Sequence, residues 1–155
     1  MDFYTAKRQF NNYLKDYDCH NDKIRLKIVH TYGVVKESTD ISARMRLSEE
    51  DTTLAKMIAL LHDIGRYEQI SLGTPHHISG ARIADEIMTF CDFSKEEVIQ
   101  VAEAIAGHRK ESSEEDSLLA KYLYRADKQS RNCFACPAIK ECNWPDTKKN
   151  LALFY

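Results

Sequence analysis

With 155 residues, 43% of them apolar and 30% charged, the chain has the composition of an ordinary globular protein and the length for one real core. A formal charge of −2 gives no case for nucleic-acid binding or for a basic, membrane-facing surface. No run approaches the roughly 20 apolar residues of a membrane span, and no basic region followed by an apolar one opens the chain, so a cytoplasmic protein is expected.

The patterning is helical from end to end, and an all-α fold is expected. Phe3, Ala6, Phe10, Tyr13, Leu14 and Tyr17 mark a first amphipathic helix. Asp22 suits the cap of a second, running to about Lys36, with Leu26, His30, Gly33 and Val34 on one stripe and Ile28, Tyr32 and Val35 on another. Two apolar stripes predict a helix covered on most sides. Ser48 with Asp51 resembles a capping box, and Leu54, Met57, Ile58 and Leu61 follow at helical spacing. That helix delivers His62 and Asp63 at its end, and Gly65 permits a break. Residues 65–75 read as a loop. Ala81, Ala84, Ile87, Met88 and Cys91 mark the next helix, and Ser94 with Glu97 caps another carrying Val98, Val101, Ala102 and Ile105. Gly107 ends it, and a polar loop runs over 109–116. Leu118, Leu119, Tyr122, Leu123 and Ala126 lead to Asp127.

His62-Asp63 is the most informative pair in the chain. Two metal-ligand types side by side at the end of an apolar stripe are costly to hold against a core unless a cation offsets the cost. His30, His77, His108 and Asp127 are candidate partners. Imidazole with carboxylate suits Zn, Fe, Mn or Ni, and much less Ca alone. Any one of these histidines taken alone is more often a core or surface residue than a ligand, so the weight lies on the set.

The set resembles the HD superfamily of metal-dependent phosphohydrolases: a His on one helix, a His-Asp doublet on the next, an Asp on a later helix. Here these are His30, His62, Asp63 and Asp127, and the runs Leu60 to Arg66 and Arg125 to Lys128 match in their flanks. The likeness covers about residues 22 to 130. It implies a compact helical HD domain over 1–130 (core 22–130) that hydrolyses a phosphate ester or anhydride, with a nucleotide or dinucleotide as the expected substrate. His77, three residues before Gly80, and His108 sit where the dinuclear branch places its extra ligands. That branch implies one ion on His30, His62 and Asp127, a second on His77 and His108, and Asp63 between them. His76 could replace His77 as a ligand, or point outward to bind substrate phosphate.

Two cations about 3.5–4 Å apart can share a hydroxide of near-neutral pKa, which attacks phosphorus in line. Arg66, Lys128 and Arg109 are each within three residues of a proposed ligand and could hold phosphate oxygens. Tyr32 and Tyr67 could stack on a base, but filling the core is the simpler expectation. One or two divalent ions (Fe, Mn, Zn or Ni) are the expected cofactors, and a phosphorylated small molecule the expected partner, without nucleic acid or membrane. The competing reading is a regulatory or ligand-sensing HD module that turns over little or nothing.

The five cysteines, an odd count, read as thiols or metal ligands, not as a disulfide framework. Cys133, Cys136 and Cys142 concentrate in residues 131–155, expected to be a Cys-rich extension packed on the domain. A Cys-x-x-Cys turn lets two thiolates reach one ion, so a zinc or iron–sulfur site is a candidate there, one ligand short. Packing thiols are the plainer alternative.

Overall fold

The structure is a computed structural model in which the described residues are 2–18, 20–107, 116–130, 140 and 145, without the side chains of 77, 106 and 107. Among them there are seven helices, one more than the patterning marks, and no strand, which makes the fold all-α as expected: α1 (Phe3–Leu14), α2 (Asp22–Arg44), α3 (Glu49–Leu61), α4 (Gly65–Leu72), α5 (His76–Phe90), α6 (Lys95–Gly107) and α7 (Leu118–Gln129).

α3 is the centre of the core. Ser48 caps it by accepting from the Asp51 N–H. Beyond Leu54 and Ala55, every residue from Met57 to Leu61 is buried, and the helix packs on α1, α2, α6 and α7. A helix apolar on all sides needs that many neighbours. α1 covers it with Phe3, Ala6, Phe10 and Leu14, and its Asp2 cap holds the Thr5 N–H. Each fully buried Phe or Leu contributes roughly 1.5–3 kcal/mol of transfer free energy. Ser94 and Glu97 bond each other's backbone N–H, a reciprocal capping box before α6.

Three expectations are corrected. The cap of α2 is Asn21, whose side chain accepts from the Lys23 and Ile24 N–H groups; Asp22 is the first helical residue. α2 does not stop near Lys36 but continues to Arg44, burying Val34, Val35, Ser38, Ile41 and Ser42. The polar residues that look like a break are used within the helix: Thr39 donates to the Val35 carbonyl at 2.8 Å and Ser42 to that of Ser38 at 2.7 Å. Residues 65–75 are not a loop throughout, because α4 occupies most of them. Tyr67 is buried against Phe10 and Tyr17, and Glu68 pairs with Arg82 of α5 at 2.9 Å. Gly73, at φ 77°, ends α4 in the left-handed region.

The extension 131–155, apart from 140 and 145, and with it Cys133, Cys136 and Cys142, lies outside the described residues, as do His108 and Arg109. Among the described residues no helix is long and apolar enough to cross a membrane.

Candidate metal centre

Three helices bring four of the six sequence-predicted ligands together, His30, His62, Asp63 and Asp127. α3 packs beside both α2 and α7, and α2 also touches α7. His30 comes from the middle of α2, the His62-Asp63 doublet from the turn that ends α3, and Asp127 from the last turn of α7. One ligand atom each from His30, His62 and Asp127 lie within 4.8 Å of one another. His30 Nε2 is 2.7 Å from Asp127 Oδ1. His62 Nε2 is 3.4 Å from Asp63 Oδ2 and 3.5 Å from Asp127 Oδ1.

The orientation of His62 is fixed by its own helix. Its Nδ1 is 2.7 Å from the Ala59 carbonyl oxygen, which can only accept, so Nδ1 carries the hydrogen. The Nε2 lone pair is left facing Asp63 and Asp127. This is the arrangement in which metal-binding imidazoles are usually held. Two imidazole nitrogens with carboxylate oxygens suit a divalent transition ion, so His30, His62 and Asp127 could hold one.

The surroundings are strongly charged. His62, Asp63 and Asp127 are buried. Lys27 Nζ lies 3.7 Å from Asp63 Oδ2, Arg66 Nε 3.7 Å from Asp63 Oδ1, and Lys128 Nζ 3.2 Å from Asp127 Oδ2. These cations offset the cost of burying two carboxylates. Burial itself opposes charging of the His62 ring, but the Asp63 and Asp127 carboxylates outweigh it and raise its pKa above the ordinary imidazole value.

Arg66 and Lys128 thus lie beside the two carboxylates, and Gln69 steadies Arg66 by accepting from it at 3.1 Å. Lys27 was not legible in the sequence. Its signal is the i, i+3 spacing to His30, which puts both on one side of α2. His76 opens α5 and is 6% exposed, with its carbonyl over Gly65. Of its two alternatives, the outward-pointing one does not fit this burial. The His77 backbone belongs to α5, but its side chain lies outside the described residues. Tyr67 is a core residue, and Tyr32 packs edge-on against Phe10 while its hydroxyl donates to Asn11.

The chain is similar to known proteins. An uncharacterized protein of Clostridium beijerinckii is 45% identical over 97 residues, which are 63% of this chain but only 60% of that protein's length. A crystal structure of a predicted HD superfamily hydrolase from an uncultured Thermotogales bacterium superposes with a TM-score of 0.66 at 26% identity, over 94% of this chain and 81% of the other. The model of the HD domain matches residues 28–132, a segment that contains His30, His62, Asp63 and Asp127. By that match, over more than half of its length, the chain belongs to the HD domain family.

Proposed function

We propose that the chain is a metal-dependent phosphohydrolase acting on a phosphate ester or anhydride, with a nucleotide or dinucleotide as substrate. The observation that carries this is the meeting of His30, His62 and Asp127 ligand atoms within 4.8 Å, with Asp63 beside them and three cations around them. The hydrolase description of the Thermotogales neighbour supports it. His30, His62 and Asp127 would hold a divalent ion of Fe, Mn, Zn or Ni, with Asp63 adjoining. Such an ion supplies Lewis acidity: it polarises a phosphoryl oxygen and makes water a nucleophile near neutral pH.

The protein's own part is to place and neutralise the phosphate. Lys27 and Arg66 stand beside Asp63 and Lys128 beside Asp127, from which an arriving phosphate can draw them away. Charge-assisted bonds to non-bridging oxygens then stabilise charge that grows in the transition state. His62, held by the Ala59 carbonyl, keeps its ring orientation through the cycle.

The finer proposal is a centre of two ions with Asp63 shared. His108 and one of the pair His76 and His77 would serve the second ion. His76 is buried, and its backbone carbonyl lies against Gly65, which keeps it in the set of candidates. Elemental analysis of the purified chain, with phosphate release from a phosphomonoester and a phosphodiester, tests the reading. The expected result is one or two transition ions per chain and metal-dependent turnover, both lost in Asp63→Ala. Wild-type metal content and rate in that variant refute the assignment. Full metal content with no turnover of either ester returns the chain to a ligand-sensing role.

A further inference from the structure

A recess lies one helical turn along α2 and α4 from the charged corner of the metal centre. It has a volume of about 400 Å³ and lies between the α1–α2 turn, the start of α2 and the end of α4. Its apolar wall is Tyr17, Ile24, Ile70 and Leu72, and its polar rim carries Asp16 and Asp18. The volume is within the range of small-ligand sites, roughly 300–1,000 Å³. Ile24 is 2% exposed and forms the floor, whereas Leu72 is 75% exposed at the lip.

The recess and the charged corner share the α2–α4 contact. α2 and α4 pack on each other. Lys27 meets Asp63 beside Arg66 at one end of the pair, and Ile24 meets Ile70 at the other. Ile24 lies one turn from Lys27 and Ile70 one turn from Arg66, axial steps of about 4.5 and 6 Å. The charges differ between the two ends of this contact. Lys27 and Arg66 supply cations at the metal end, and Asp16 and Asp18 supply carboxylates at the far end. Asp18 is held in place by accepting from the His20 N–H at 2.9 Å.

We propose that this recess is the subsite for the organic half of the substrate, and that it takes a nucleobase. The inference rests on the phosphohydrolase reading for the direction of the substrate. A phosphate would be repelled by Asp16 and Asp18, so it belongs with Lys27 and Arg66. What enters the recess must offer flat apolar surface to Ile24, Ile70, Leu72 and the Tyr17 ring, and N–H donors to the carboxylates. A heterocyclic base does both. A bare sugar wastes the apolar wall, and an acyl chain leaves the carboxylates without a donor.

The test measures binding of adenosine, cytidine, guanosine and uridine 5′-monophosphates and of ribose 5-phosphate to the full chain by calorimetry, with phosphate release followed in parallel. At least one nucleotide is expected to bind about tenfold or more tightly than ribose 5-phosphate, the worth of one good apolar contact surface. Leu72→Glu, at an exposed position, is expected to remove that advantage and leave ribose 5-phosphate binding unchanged; Asp18→Ala should weaken it. Failure of every nucleotide to bind, equal binding of all five ligands within twofold, or an advantage that survives Leu72→Glu overturns the subsite. Hydrolysis without any preference for a base overturns the subsite and leaves the phosphohydrolase. Base-dependent binding that Leu72→Glu abolishes, with no hydrolysis of any ligand, does the reverse.

Discussion

Gly65→Ala is the most severe small change the structure offers. Gly65 opens α4 directly after the His-Asp turn, and the start of α5 lies across it. A Cβ placed there would sit 2.1 Å from the His76 carbonyl oxygen, 2.8 Å from its carbonyl carbon and 2.7 Å from the Gly80 backbone nitrogen. All three are backbone atoms, so no side chain can rotate away. α5 would have to retreat by about 0.9 Å before the shortest contact reached 3.0 Å. Overpacking of this kind costs 1–3 kcal/mol and occasionally more; with rigid backbone on both sides, about 3 kcal/mol is expected. At about 2–4 °C per kcal/mol for a chain of this size, Tm should fall by about 6–12 °C. Gly80→Ala is the control. Its Cβ would meet Gly65 at 3.5 Å or more, ordinary contact, and alanine gains about 1 kcal/mol of helix propensity. Thermal melts followed by circular dichroism at 222 nm, with metal content measured on the same samples, check both. A Gly65→Ala protein that melts within about 2 °C of wild type would show that the α4–α5 approach is not as close as drawn.

Two further outcomes follow from the charges. Replacing Lys27, Arg66 or Lys128 by Met should leave the metal in place but lower kcat/KM; one charge-assisted contact is worth about 1.5–3 kcal/mol, or ten- to hundredfold in rate, and unchanged kinetics in all three variants would make them mere neutralisers of Asp63 and Asp127. In the metal-free protein His62 has a raised pKa, so its proton stabilises the fold below the ordinary imidazole range and that contribution is lost as pH climbs through the higher folded value. Metal needs the neutral ring, so the gain in Tm on adding metal should grow as pH climbs toward the raised folded value and level off above it, and a gain that does not change with pH would remove His62 from the ligand set.

The helices and the centre differ in how much of each can be read from sequence. A metal site must place chemically special residues at helix ends and beside small neighbours, so His30, His62-Asp63 and Asp127 stand out from apolar stripes. Lys27 does not, because a lysine on a long helix is ordinary until the fold brings Asp63 to within 3.7 Å. The tail end of α2 hides for a different reason. Ser38, Thr39 and Ser42 are turn-forming types by propensity, and only the helix itself offers the Val35 and Ser38 carbonyls that Thr39 and Ser42 use. α4 hides because no side chain caps its start. It is made by tertiary contact, through Tyr67 and the Glu68–Arg82 pair.

The same charges predict what metal removal will do. A structural zinc site commonly unfolds its domain when emptied, because nothing else offsets the ligands. Here each buried carboxylate already has protein partners: Lys27 and Arg66 for Asp63, His30 and Lys128 for Asp127. The main core, from Phe10 through Leu60 to Val101, is apolar and does not depend on the centre. Chelation should therefore leave a folded helical protein. Its stability should fall only by the binding term, about 2.7 kcal/mol for metal present at a hundred times its Kd, or about 5–11 °C in Tm. Dialysis against a chelator, then a melt at 222 nm before and after metal is restored, measures this directly. Loss of helical signal at 25 °C on chelation would mean that the ion holds the fold together, and that Lys27, Arg66 and Lys128 do not compensate the acids they face.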